Sequence, residues 1–273
     1  MATEKQVRYS DLVLKKQRSS IVTKVGVIVN DWYEGDPKAG AVKIPTRGEA
    51  SVGDYNPATG VGLDAVTTGY TTLVIDKDIY VNELIDGYAD SATVPDDIIA
   101  DRLDSAGYGI AKKEDRDTIA KLIADGTAST NTEAPTAETA YDEVVDARTA
   151  LSKAKTPTED RWLLVNPDFY SLLLKDDNFI RQGDISQTLK ENGAIGQVAG
   201  FGVYETSDLD ENTPFIAGHY SAVTRADEFE VEPQVVSLTQ SGRFIGASAV
   251  QTRKVFGVGV THPECIYVKK VIA

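Results

Sequence analysis

Polar and apolar positions alternate along residues 41–82, and the period then changes to that of a helix over residues 95–125. Val42-Lys43-Ile44 repeats every second residue, and Thr71 to Val81 is rich in β-branched and aromatic residues. Two strands around a long tip are therefore predicted. The tip, Gly48 to Gly69, is nearly all small, polar or turn-forming, and is punctuated by Gly48, Gly53, Pro57, Gly60, Gly62 and Gly69. A hairpin so thin in core-forming bulk cannot bury itself. Long loops of this kind are mostly functional or disordered, and the natural cover here is a second copy of the same chain.

The helical stretch has a clear start. Pro95 suits the first helical position, where a missing N–H costs nothing, and Asp96 and Asp97 oppose the helix dipole. Ile99, Leu103, Ala106 and Ile110 form one apolar stripe, which Ile119, Leu122 and Ile123 continue until Gly126 stops the helix. Such a helix is about 45 Å long. Gly107 and Gly109 weaken its centre by up to about 1 kcal/mol each relative to Ala, and predict a bend or a close packing contact.

Before the hairpin, Val7, Leu12, Val13 and Leu14 precede a β-like run, Val25 to Val29, and a turn-rich segment, Asp31 to Pro37. These read as an N-terminal arm with one short strand. After a Thr-rich linker at 126–135 comes an α/β module. Thr136 caps a helix carrying Tyr141, Val144, Val145 and Leu151, which Lys153, Lys155 and Pro157 end. Arg161 to Val165 reads as a buried strand. Asn166-Pro167-Asp168 supplies a cap, a first-turn proline and a first-turn acid for a helix holding Phe169 and Leu172 to Leu174. Beyond Gly193 the pattern is β: Val203 to Glu205, Phe215 to Ala217, Val231 to Leu238, Lys254 to Val260, and Cys265 to Ile272. The chain shows no internal repeat.

Composition removes several functions. The 273 residues carry a net charge of −14, with a single cysteine and two histidines. One cysteine allows no internal disulfide, and the four Cys or His ligands of a structural zinc site are not there. A general nucleic-acid binder usually shows a basic face. The richest basic patch, Lys15-Lys16-Gln17-Arg18, reads more simply as a solvated arm. No apolar run approaches the roughly 18 residues that span a bilayer. The polar N-terminus lacks the apolar centre of a signal peptide, so the chain is expected to be made and kept in a cytoplasm unless released by other means.

Catalytic chemistry finds little support. His219 and His262 are the only imidazoles, and no Gly-x-Ser-x-Gly elbow accompanies them. His262-Pro263-Glu264-Cys265 has the flavour of a zinc deaminase motif, but the second cysteine is missing. Gly200-Phe201-Gly202 and Gly257-Val258-Gly259 lack the third glycine of a dinucleotide loop, and closely packed backbone or strand bends explain them better. The acidic clusters Asp176-Asp177 and Asp208-Leu209-Asp210-Glu211-Asn212 read as solvated loops rather than calcium or acid–base sites. No catalytic, cofactor-binding or metal residue is assigned, and no cofactor is expected.

The order of segments resembles the Hong Kong 97-type capsid fold, and the sequence is similar to the major capsid proteins of tailed bacteriophages. The residues that carry the likeness are Val42 to Gly48, Ile79 to Ile85, Ile110 to Asp115, Trp162 to Tyr170, Gly193 to Gly196, Gly200 to Tyr204 and Phe215 to His219. The resemblance implies an α+β fold: an N-terminal arm (1–40), an extended β-hairpin loop (41–82), a peripheral domain with a long spine helix (83–126), an axial α/β domain (127–235), and return strands of the peripheral domain (236–273). It implies a structural, non-enzymatic subunit that forms pentamers and hexamers in an icosahedral head shell around double-stranded DNA, in a virion assembled in the host bacterial cytoplasm. The implied partners are itself, a portal, a separate scaffolding protein and a decoration protein, with no membrane and no sequence-specific DNA binding. Some family members begin with a scaffolding segment that a protease removes; the arm here reads as too short for one, so either scaffolding is expected to be a separate protein or the chain to be the mature form. Some family members crosslink through Lys and Asn, but the spacing of Lys43, Lys77 and Asn82 gives that chemistry no support here. An encapsulin-like nanocompartment shell is the alternative with the same fold, and an α/β enzyme with an unrecognised site is the alternative from another class.

Overall fold

The structure is a computed structural model that describes residues 16, 18–33, 40–47, 50–57, 62, 65–66, 68–87, 98–176, 196–239 and 243–272. The helix start expected at Pro95 to Asp97, the arm positions Val7 to Leu14, Gly48, Gly60, Asp177 and Gly193 to Ile195 lie outside the described residues. Three helices occur among the described residues: α1 (Ile98–Asp125), α2 (Ala140–Lys153) and α3 (Pro167–Lys175). The strands are β1 (Ala41–Arg47), β2 (Thr68–Val74), β3 (Lys77–Asp86), β4 (Thr127–Ala128), β5 (Arg161–Val165), β6 (Gln197–Val198), β7 (Phe201–Glu205), β8 (Phe215–His219), β9 (Val223–Ser237), β10 (Ala247–Val260) and β11 (Ile266–Val268).

They form three sheets. Antiparallel β1 and β2 make the hairpin, β3-β10-β9 make a three-stranded antiparallel sheet, and β4-β11-β8-β5-β7-β6 make a mixed six-stranded sheet. The single strand expected from Thr71 to Val81 is thus two strands broken at Ile75-Asp76. The first pairs within the hairpin and the second pairs with β10. The run expected from Val231 to Leu238 is the end of a longer strand that begins at Val223. Of the strands after residue 236, β10 joins the three-stranded sheet, whereas β11 lies inside the six-stranded one.

Strand β5 is buried along its whole length, as its unbroken apolar run requires of a strand covered on both faces. Leu163 and Val165 point to a core with Val144, Leu151, Phe169 and Leu173 of α2 and α3. Trp162 and Leu164 point the other way, to a core with Ile119 and Leu122 of α1 and with Val22, Ile28 and Val29 of the arm. A third, small cluster joins Ala106 and Leu103 of α1 to Ile85 and Val250 of the three-stranded sheet. Helix α1 therefore bridges the two sheets.

Most of the local signals hold, and one is displaced. Asn166 caps α3, its Oδ1 accepting from Phe169 N at 2.7 Å, with Pro167 in the first turn. Helix α1 ends at Asp125, and a Cβ on Gly126 would come within 2.6 Å of Val268 Cγ2. The helix expected from Thr136 begins instead at Ala140. Thr136 opens the turn before it, its carbonyl accepting from Ala140 N at 3.0 Å. Ala199 and Gly200 both have positive φ, the geometry of a tight hairpin turn between β6 and β7, so these residues make a turn rather than a phosphate loop.

Candidate assembly surfaces

In the hairpin, residues directly paired share a face. Val42, Ile44, Thr71 and Leu73 face the body, with Ile44 and Leu73 buried. The base is seated on β10: Gly257 lies so close that a Cβ there would come within 2.3 Å of the Val74 carbonyl oxygen. This is the close backbone approach expected of that glycine pair. The base is therefore covered by its own chain, which narrows the expected unburied region to the outward face and the distal part. The outward face carries Lys43, Pro45, Arg47, Tyr70, Thr72 and Val74, all exposed, and no acidic residue among the described residues. Further out, Val52 is 94% and Tyr55 72% exposed. The hairpin leaves large apolar side chains in water that its own chain does not cover.

The outer side of the three-stranded sheet is also uncovered at Tyr80 and Leu84. Beside them Arg253 grips Asp78 in a two-pronged ion pair, Nε to Oδ1 at 2.9 Å and Nη2 to Oδ2 at 2.6 Å. The hydrogen bonds from Arg253 hold the Asp78 carboxyl below its ordinary value. On the opposite face Glu83 is held low in the same way by Arg102 of α1.

Between the sheets lies a polar band that the apolar stripe of α1 did not announce. From Ile110 to Ile119 the buried residues of the helix include Lys112, Glu114, Asp115 and Thr118. Glu114 accepts from Lys254 of β10 at 2.9 and 3.1 Å and lies 3.1 Å from Arg225 Nε of β9. Asp115 Oδ1 accepts from Val22 N, Thr23 N and Thr23 Oγ1 at 3.1, 2.8 and 2.8 Å. Lys112 and Arg116 both hold Asp208, in the loop after β7. Burial would raise the Asp208 carboxyl, but these two hydrogen-bonded cations hold it below its ordinary value. The only trace of this band in the sequence is the gap in the stripe between Ile110 and Ile119.

The residues weighed for chemistry are dispersed into structural roles. His219 ends β8 with its Nδ1 2.6 Å from Ser221 Oγ, and burial lowers its pKa. His262 is exposed beside Glu264 at 3.2 Å. Cys265 follows in a single 3-10 turn. Asp208 belongs to the ion cluster, and Asp176 Oδ2 accepts from Tyr141 N at 2.9 Å at the start of α2. Of the basic patch, Lys16 and Arg18 pair with Asp101 and Asp104 of α1. Among the described residues no group of three or more Asp, Glu, His and Cys is placed to hold a metal, and no helix is long and apolar enough to cross a membrane.

Solved structures from phages, and one of a virus-like particle, share this fold. Mycobacterium phage Che8 matches with a TM-score of 0.78 and 22% identity, over 97% of this chain and 96% of that one. The capsid of cyanophage P-SCSP1u matches with a TM-score of 0.79 and 14% identity, over 98% and 93%. A virus-like particle from Pyrococcus furiosus matches with a TM-score of 0.54 and 16% identity, over 85% and 86%. No curated protein matches the chain. The model of the phage capsid protein family matches residues 87–268, well over half of the chain. The chain accordingly belongs to the phage capsid protein family: it is a major capsid protein, a non-enzymatic subunit that associates with itself to form the head shell of a virion.

Proposed function

We propose that the hairpin Ala41–Val74 is an intersubunit strap whose outward face and distal end lie on the next copy in the shell. The observation that carries this reading is the exposure of Val52, Tyr55, Val66 and Tyr70 on a hairpin whose base alone is buried. A neighbour also covers the hydrogen-bonding edges that a two-stranded sheet leaves open. In this reading the arm runs through residue 40 and the extended loop ends at Val74 rather than Asn82. The spine helix α1 and the β3-β10-β9 sheet form the peripheral domain, and the six-stranded sheet with α2 and α3 forms the axial domain. That sheet takes in β4 to β8 together with β11, so the axial domain closes near Ala222 and regains a strand at the C-terminal end.

The same reading places pentamers and hexamers in an icosahedral shell around double-stranded DNA, with a portal, a separate scaffolding protein and a decoration protein as partners, assembled in the host cytoplasm. A net charge of −14 suits a container that must not cling to its DNA. Deleting residues 50–66 tests the strap. The expected result is a folded chain, with an unchanged far-ultraviolet circular dichroism spectrum, that no longer forms particles by electron microscopy. Particles that form as before overturn the strap, and extraction of particles filled with a cargo protein instead of DNA overturns the phage-head reading in favour of a nanocompartment.

A further inference from the structure

The N-terminal arm meets α1 at four points that climb the helix in step. Lys16 Nζ donates to Asp101 Oδ2 at 2.7 Å. Arg18 pairs with Asp104 and lies 4.8 Å from the centre of the Tyr108 ring. The Tyr108 hydroxyl is 3.1 Å from both the Oγ and the carbonyl oxygen of Ser19. Asp115 then takes the backbone of Val22 and Thr23. From Lys16 to Thr23 an extended chain covers about 23 Å, and from Asp101 to Asp115 a helix covers about 21 Å. Arm and helix therefore run side by side in one direction without losing register.

Tyr108, the middle rung, stands between Gly107 and Gly109. Among the described residues, a Cβ built on either glycine meets nothing within 4 Å, and neither has the positive φ that would demand glycine. Packing gives no reason for them. Their remaining physical effect is on the stiffness of the helix, because glycine weakens a helix interior and marks sites of kinking. The helix is anchored on both sides of this weak point. Ala106 packs on Ile85 and Val250 of the three-stranded sheet, whereas Ile119 and Leu122 sit in the core of the six-stranded one.

We propose that the arm is a releasable splint, holding α1 straight across its glycine pair, so that release of the arm lets the helix bend there and the two sheets shift against each other. The outer rungs suit release. The Lys16 and Asp101 side chains are 35% and 36% exposed, and such pairs weaken as salt screens them. The inner rung suits a hinge, because Asp115 is fully buried. The arm peels from its Lys16 end and pivots near Thr23.

Amide hydrogen exchange on the purified full chain tests this. Lys16→Gln, Arg18→Gln and Tyr108→Phe together remove the outer rungs with little change in helix propensity. Exchange over residues 105–112 should then rise by about fivefold or more, while β5 stays protected. In wild type, 0.5 M salt should raise exchange over the same residues. In a Gly107→Ala, Gly109→Ala background both increases should disappear, because the helix no longer needs the splint. Unchanged exchange on release, or an equal rise in the alanine background, overturns the proposal. Should the triple variant fail to fold, the salt comparison between wild type and the alanine pair decides it alone.

Discussion

Leu73 of the hairpin rests on the bare backbone of Gly259 in β10: a Cβ at Gly259 would come within 2.7 Å of Leu73 Cδ1. Two residues earlier, Gly257 faces the backbone of Val74 and Ile75. The two contacts differ in what can give way. The end of a leucine side chain can turn aside, but a carbonyl oxygen and a Cα cannot. Gly257→Ala should therefore destabilise the chain by about 1–3 kcal/mol through overpacking, and Gly259→Ala by less. Urea unfolding of the two variants measures the order. Limited proteolysis should show the hairpin of the Gly257 variant cut sooner than that of wild type.

Asn166 holds the first turn of α3 through Phe169 N, and its own N–H donates to the Pro214 carbonyl at 3.0 Å. Asn166→Ala removes the side-chain cap and leaves the backbone bond. The expected loss is about 1 kcal/mol, and Asn166→Asp, which keeps the acceptor for Phe169 N but gives up the 3.4 Å donation from Nδ2 to the Asp210 carbonyl, should retain part of that stability. The shift in the midpoint of urea unfolding, at constant slope, checks both.

How much the sequence discloses depends on how far apart the interacting residues lie. The β5–α3 unit is legible because its signals are local: an unbroken apolar run, then Asn166-Pro167-Asp168 at the helix start. The hairpin is legible as a segment, but its end is not. Residues 71–81 are uniformly strand-like, and only pairing with β10, some 170 residues later, assigns Lys77 onward to a different sheet. The same holds for β11, whose three residues lie between β8 and β4 through contacts that no local pattern encodes. The polar band of α1 was hidden for another reason. Lys112, Glu114 and Asp115 are residue types that usually face water, and only their partners Lys254, Arg225, Asp208 and Thr23, all distant in sequence, make their burial tolerable.

Asp208 should make stability acid-sensitive. Folding holds its carboxyl below its ordinary value, so its contribution is fully present above the unfolded pKa. It is lost as pH falls through the lower folded pKa, below about pH 4. Protonation then leaves Lys112, a mostly buried cation, with only the 3.7 Å contact to Asp115 among the described residues. Arg116 is 63% exposed and loses little by comparison. Asp208→Asn should lower the melting temperature at pH 7 and flatten its dependence on pH below 4. Thermal melts across pH 3 to 7 compare the two chains. Parallel curves would show that other carboxylates carry the acid sensitivity.

Lys269 supplies the sharpest energetic test, because its side chain is fully buried and has an ionic partner, Glu143, at 2.7 Å. Its Nζ also donates to the Asn131 carbonyl at 3.1 Å, and Asn131 Nδ2 donates to the same Glu143 oxygen at 2.8 Å. The second Glu143 oxygen is buried without a hydrogen bond among the described residues. The group ties the C-terminal strand, the linker and α2 together, yet part of its bonding capacity is unused. Breaking such a pair from one side strands a buried charge and costs about 3–5 kcal/mol, whereas replacing both partners by apolar groups of similar size is often neutral. Glu143→Leu should therefore destabilise strongly, and adding Lys269→Met should restore most of the loss. A double-mutant cycle on urea unfolding free energies measures the coupling. Additive losses would mean that Lys269 is held by Asn131 and its packing, with Glu143 contributing nothing specific.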